Sequence, residues 1–185
     1  MKNKVKIQFR RKRDGKIDYS KRLKLLKASK PRLVIRKSLR YILLQIVEYK
    51  PAGDKIIVSY SSKLLDQSGW KHAKNNLPAS YLAGAMLAKL SMEKKVNEAI
   101  LDLGLQTSAK GSKIYAAVKG AIDAGLKVPC RDEMFPDEAR LSGKHIVEFA
   151  AIAKEKSKTQ FSKQENLSNL EKDFLSVKEK ILKGN

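Results

Sequence analysis

Apolar residues are distributed differently in successive parts of this chain, and each pattern predicts different elements. Up to about residue 20, Val5, Ile7, Phe9, Ile17 and Tyr19 stand singly among cations and build no continuous face. Leu23, Leu25 and Leu26, followed by Ala28-Ser29-Lys30-Pro31, predict a short helix that stops ahead of the proline. The pattern then shortens to strand-like runs rich in Ile, Leu and Val over residues 32–38, 41–49 and 55–61. Pro51-Ala52-Gly53-Asp54 is a strong turn signal between the last two, so the three runs read as an antiparallel meander.

Residues 63–76 are polar and turn-like, with Gly69-Trp70 in the middle, and Pro78 is placed to open a helix. Ala79, Leu82, Ala83, Met86, Leu87 and Leu90 recur at helical spacing and mark one buried face. Residues 99–103 are a short apolar run suited to a buried strand. Gly111-Ser112 starts another helix, with Ile114, Ala117, Val118, Ala121 and Ile122 on one side and Gly125 at its end. Pro129 and Pro136 bracket a loop; Ile146, Phe149, Ala150 and Ala153 mark a further helix, and polar residues 154–160 follow. In a last helix Leu167, Leu170, Phe174, Val177 and Ile181 form a narrow seam. Such a seam either pairs as a coiled coil or packs on the protein's own body, and its short length favours the body. The predicted fold is α/β: a mixed sheet, an antiparallel meander plus one parallel strand, with packed helices. Three regions are expected: a basic arm with a short helix (1–30), an α/β core (31–130), and an acidic loop with C-terminal helices (131–185).

Charge sharpens this picture. Residues 1–40 hold 17 Lys and Arg against Asp14 and Asp18, so they carry 15 of the 21 excess positive charges in the 185-residue chain. Unpaired cations at this density cannot be buried, so the segment needs a polyanion. Membrane-surface helices require a continuous apolar face, which is missing here. Nucleic acid fits, with Lys and Arg neutralising phosphates while Phe9 or Tyr19 stacks on a base. A basic tail that only aids solubility is the plainer alternative. No apolar run is long enough to span a membrane, and the charged start lacks the apolar core of a signal peptide. The single cysteine, Cys130, excludes an internal disulfide and suits a reducing compartment, so an intracellular protein is expected.

Catalytic readings find little support. Lys110-Gly111-Ser112 lacks the spaced glycine of a phosphate-binding loop, although Lys110 and Lys113 at a helix start could hold an RNA phosphate. Asp102 could ligate a metal in a nuclease, but few carboxylates converge on it; an acid satisfied by backbone or by a lysine is the plainer reading. Asp132, Glu133, Asp137 and Glu138 lack the alternation of a calcium loop. His72 and Cys130 have no evident catalytic partners, and no zinc-type spacing occurs. Trp70 reads equally as a core-edge anchor or as a stacking platform for RNA. No cofactor, metal or small-molecule substrate is expected.

Several ordered blocks then carry a family resemblance: Lys21-Arg22-Leu23-Lys24-Leu25-Leu26-Lys27, Pro31-Arg32-Leu33-Val34-Ile35-Arg36-Lys37-Ser38, Gly69-Trp70, Pro78-Ala79-Ser80-Tyr81-Leu82-Ala83-Gly84 and the run from Lys110 to Gly125. Over roughly residues 10–150 the chain resembles the archaeal branch of the large-subunit ribosomal protein L-eighteen family. The resemblance implies a structural protein that binds 5S rRNA and attaches it to 23S rRNA at the central protuberance of the ribosome, beside neighbouring large-subunit proteins. It also implies a ribonuclease H-like arrangement without catalytic carboxylates. The RNA-binding positions it implies are Arg10, Arg11, Lys12, Arg13, Tyr19, Arg22, Lys24, Lys27, Arg32, Arg36, Ser38, Arg40, Trp70 and Lys71. The chain departs from the family pattern at Leu39, where Asn is usual, at Asn75-Asn76-Leu77-Pro78 in place of Gly-Asn-Thr-Pro, and at Cys130 in place of His.

Overall fold

The structure is a computed structural model that describes residues 7–156 and 167–183. Lys4, Val5 and Lys6 of the predicted arm, and residues 157–160 of the predicted polar stretch, lie outside the described residues. Two short helices come first, α1 (Arg10–Arg13) and α2 (Tyr19–Leu26). The meander follows as β1 (Arg32–Lys37), β2 (Ile42–Glu48) and β3 (Lys55–Ser61). Helix α3 (Leu77–Glu93) leads to β4 (Ile100–Asp102), and α4 (Lys113–Asp123), α5 (Glu138–Ser142), α6 (Lys144–Lys156) and α7 (Leu170–Lys183) complete the chain.

The four strands form one sheet in the order β3-β2-β1-β4, antiparallel except for the β1–β4 pair. Alternation divides its two faces. Leu33, Ile35, Ile42, Leu44, Ile46, Val58 and Tyr60 are buried on the face that carries the core. Arg32, Val34, Gln45 and Val47 alternate with them on the opposite face. Ile46 pairs with Val58 but Val47 pairs with Ile56, so Ile57 is a bulge residue. Without that extra residue Ile56 would share the face of Val58; the bulge turns it toward the face of Val34 and Val47. β4 is shorter than the predicted strand because Gly104 turns the chain with φ +59°. Beyond it, the free edge of β1 is satisfied by side chains. Gln106 donates from Nε2 to the Ile35 carbonyl at 2.6 Å and accepts from the Lys37 amide at 3.3 Å.

Helices α3 and α4 cross against each other over the core face. Asn76 caps α3, its side-chain oxygen accepting from the Ala79 amide at 2.9 Å, and Pro78 occupies the first turn. The crossing is set by two glycines: a Cβ on Gly84 would lie 1.9 Å from the Ala117 carbonyl oxygen, and one on Gly120 would lie 2.0 Å from that of Tyr81. The seam of α7 packs on the protein's own body, with Leu167, Leu170, Phe174, Val177 and Ile181 all buried. The Phe174 ring lies 5.5 Å from that of Tyr81 on α3, and His72 Nε2 sits 2.8 Å from Asp173 Oδ2. Residues predicted as a polar turn instead form a 3-10 helix, Ser62–Ser68, with Leu65 buried.

Candidate nucleic-acid interface

Among the described residues, the second face of the sheet carries no large helix. It is roofed in part by the arm. Asp18 caps α2, accepting from the Ser20 and Lys21 amides at 2.9 and 3.1 Å, and these bonds hold its carboxyl below the ordinary range. The Phe9 and Tyr19 rings, 5.3 Å apart, join the approach to α1 with the start of α2. No residue of either helix is buried, so packing alone does not hold the arm in place.

A chain of ion pairs does. Arg22 of α2 grips Asp54, in the turn before β3, with two parallel bonds of 2.9 and 2.8 Å. Asp54 also accepts from Arg32 at 2.6 Å. Arg32 in turn reaches Asp102 at 2.8 Å, and Arg36 lies 3.4 Å from the other Asp102 oxygen, which also accepts from the Gly104 amide at 2.8 Å. The Arg22 guanidinium, then burial in opposition, then Arg32 set the Asp54 carboxyl, with a net shift downward; Asp54 correspondingly raises Arg22. Three guanidiniums thus alternate with two carboxylates from the arm to the far edge of the sheet.

Between arm and sheet lies a cleft of about 910 Å³. Arg11, Lys16, Lys21, Arg22, Lys24, Arg32 and Arg36 line it, against Asp18, Asp54 and Asp102. All three acids are engaged, one as a cap and two in the ion-pair chain, so the cleft keeps an excess of cations. Val34, Val47 and Ile56 supply apolar lining on the sheet side.

The structure therefore brings Arg11, Arg22, Lys24, Arg32 and Arg36 of the predicted residues to one cleft. Arg10, Lys12, Arg13 and Lys27 are exposed along the arm, and Tyr19 is 36% exposed. A second group gathers at the β1–β2 hairpin tip. Ser38 Oγ donates to the Tyr41 carbonyl at 2.8 Å and accepts from the Tyr41 amide at 3.0 Å, which fixes the turn that presents Arg40. Asn75 donates from Nδ2 to the Leu39 carbonyl at 2.7 Å and to that of Ser38 at 3.1 Å, so the family departures at positions 39 and 75 meet in space. Lys113 donates to Asn75 Oδ1 at 2.9 Å; burial, then the nearby Lys37, lower its pKa. Lys71 and Lys110 are exposed elsewhere and make no ion pair among the described residues.

Two predicted contacts are corrected by burial. Trp70 is 0% exposed and donates from Nε1 to the Ala73 carbonyl at 3.1 Å, so it anchors the loop and offers no face to a base. Arg32 is 2% exposed with both terminal nitrogens bound to carboxylates, so it supports the cleft from beneath rather than meeting a phosphate. Sequence reasoning missed Asp54, read only as a turn residue, and the bracing residue Gln106, and it named Asn75 only as a departure from the family pattern. A lone arginine on a strand with a buried face was the available signal, because such a charge demands a carboxylate partner.

Asp102 is accounted for by the same pairs, with two arginines and a backbone amide on its oxygens. Among the described residues no group of three His, Cys, Asp or Glu could hold a metal, and no helix is long and apolar enough to cross a membrane.

Comparison with known proteins gives the same direction. The family model described as ribosomal large subunit proteins 60S L5 and 50S L18 matches residues 3–98 and 89–131. Large ribosomal subunit protein uL18 of Korarchaeum cryptofilum (strain OPF8) is 50% identical over 145 residues, which cover 78% of this chain and 74% of that protein. Since the family match runs through the arm, all four strands and both crossing helices, this chain belongs to the L18/L5 family of large-subunit ribosomal proteins, whose part in the ribosome is structural and not enzymatic.

Proposed function

We propose that this protein binds 5S rRNA and attaches it to 23S rRNA at the central protuberance, beside neighbouring large-subunit proteins. The observation that carries the reading is the concentration of 15 of 21 excess charges in residues 1–40, clasped over an open sheet face. Arg10, Arg11, Lys12, Arg13, Lys24 and Lys27 neutralise phosphates, Tyr19 stacks, and Arg36 extends the basic surface onto the sheet. Arg40, with Lys71, Lys110 and Lys113, offers separate points of contact away from the arm. The ribonuclease H-like arrangement is part of the same reading, supported by a meander followed through α3 by a strand parallel to β1. So is the division into arm, core and C-terminal helices.

Salt titration of 5S rRNA binding tests the electrostatic account. If about 6–10 phosphates are neutralised, log K falls by about 4–9 for each log unit of salt. A slope near zero refutes it. Deleting residues 1–20 is expected to weaken 5S rRNA binding strongly while leaving the core folded, since the described part of that segment buries no side chain; unchanged affinity removes the arm from the mechanism.

A further inference from the structure

The cleft under the arm combines features that a simple phosphate-binding surface does not need. A surface that only neutralises a backbone is satisfied by exposed cations, which the arm already supplies on its outer side. Here cationic side chains border a half-open space with Val34 and Ile56 on its floor, and Ile56 remains 52% exposed. It faces this cleft only because the bulge at Ile57 turns it there. What sets this isoleucine apart from other exposed apolar side chains is its place in a cleft bordered by cations, which suits an occupant that is apolar in its middle and anionic at its edge.

Size narrows the occupant. A volume of about 910 Å³ lies within the range of roughly 300–1,000 Å³ that encloses a small organic ligand. A duplex keeps its bases stacked and paired inside the helix, so it presents no free base face to such a space. A single nucleotide fits, since every base has an apolar face and its phosphates stay at the rim. We propose that this cleft receives an unpaired nucleotide of the bound RNA, its base against Val34 and Ile56 and its flanking phosphates on Lys21, Lys24 and Arg36. The inference rests on the RNA-binding reading and adds the structural state of the RNA: single-stranded at this point, not helical. Arg22 and Asp54 hold the roof at the height that leaves the space open.

The test uses the full-length protein, a labelled uridine hexamer, and a blunt-ended RNA duplex without a loop, compared at equal phosphate concentration. The hexamer is expected to bind about tenfold more tightly than the duplex at equal salt, because a paired base must first be extracted. Ile56→Ala is expected to weaken the hexamer about three- to tenfold without changing its salt slope, since apolar contact and not charge is removed. Ile56→Thr, which keeps the branched shape of a strand residue, is expected to act in the same direction; Leu64→Ala, exposed outside the cleft, is not. A hexamer carrying 4-thiouridine is expected to crosslink to residues 19–26 or 42–61. Equal affinity for duplex and hexamer together with indifference to both Ile56 variants overturns the proposal, as does crosslinking confined to other segments. Parallel titration with 5S and 23S rRNA transcripts keeps the two readings apart. Transcripts bound with Ile56 indifferent sinks the cleft assignment alone, whereas a sensitive hexamer with transcripts ignored sinks the ribosomal RNA reading alone.

Discussion

The crossing of α3 and α4 supplies a prediction in which two effects of opposite sign compete. Replacing Gly120 by Ala removes a poor helix former and so favours the folded state by about 1 kcal/mol. The new Cβ, however, would stand 2.0 Å from the Tyr81 carbonyl oxygen and 2.8 Å from its carbon, where real contacts stay beyond 3.0 Å. No rotamer change relieves a clash with backbone, so the two helices must part by about 1 Å or more. A gap of that size forfeits up to about half of each dispersion contact along the interface, and overpacking of this kind costs about 1–3 kcal/mol, here at the upper end or beyond. The displacement also disturbs the Tyr81 hydroxyl, which donates to Asp123 at 2.7 Å. The clash wins, and a net loss of about 2–3 kcal/mol is expected; Gly84→Ala, 1.9 Å from the Ala117 carbonyl oxygen, is expected to match it. The pair is more diagnostic than either alone. Once the helices have separated for one methyl the second fits at little extra cost, so the double variant is expected to lose about 3 kcal/mol rather than the sum. Urea unfolding followed by the fluorescence of Trp70, the single tryptophan and fully buried, measures all three. A single variant at least as stable as the parent, or a pair that costs the full sum, refutes the reasoning.

Other expectations follow from the same contacts. Arg32→Leu leaves Asp102 buried with weaker partners and is expected to cost about 3 kcal/mol in urea unfolding, with Arg32→Met combined with Asp102→Leu recovering most of it; a neutral single variant contradicts the ion-pair account. The Asp54 carboxyl is held below its ordinary value of 3.8 by Arg22, so its stabilisation is present above that value and is lost as pH falls through the folded-state pKa. Asp54→Asn is therefore expected to lower the melting temperature at pH 7, with the difference from the parent shrinking as pH is lowered below 3.8, and a difference that stays constant down the acid range contradicts the assignment. Phe174→Ala, 3% exposed against Tyr81, is expected to cost about 3–5 kcal/mol and to loosen α7, read by amide exchange in that helix; unchanged protection contradicts the docking of α7 on α3.

The sheet was legible because its strands alternate and its turn residues sit where the backbone needs them. Residues 55–61 coincide with β3, and the core face of β2 follows from Ile42, Leu44 and Ile46. The α7 seam was legible for the same reason, its apolar spacing matching the helical repeat. What alternation cannot carry is the identity of long-range polar partners. Asp54 lies 22 positions from Arg32 and Asp102 lies 70 positions from it, and nothing local marks either as its mate. Trp70 stayed ambiguous because an indole suits a core and a base alike, and only the packing of the folded chain around it, which leaves it 0% exposed, decides between them. The bulge at Ile57 is equally silent, since an extra apolar residue inside an apolar strand leaves the hydrophobic pattern intact.

The carboxylate under the arm raises a question of sign, because an acid inside a surface meant for phosphates should repel them. At about 7 Å in water that repulsion amounts to roughly 0.6 kcal/mol per phosphate, less once salt screens it. Without Asp54, Arg22 loses both bonds that fix α2 above the sheet, and the eight residues of that helix, none buried, must be ordered by the RNA itself. Fixing one residue's backbone costs about 1–2 kcal/mol, so even two or three residues left to order outweigh the repulsion. Preorganisation therefore exceeds charge, and Asp54→Asn is expected to weaken RNA binding although it makes the protein one unit more positive. Stronger binding by this variant would mean that the arm acts as a loose polycation, with direction supplied by the RNA rather than by the chain Arg22, Asp54, Arg32, Asp102 and Arg36.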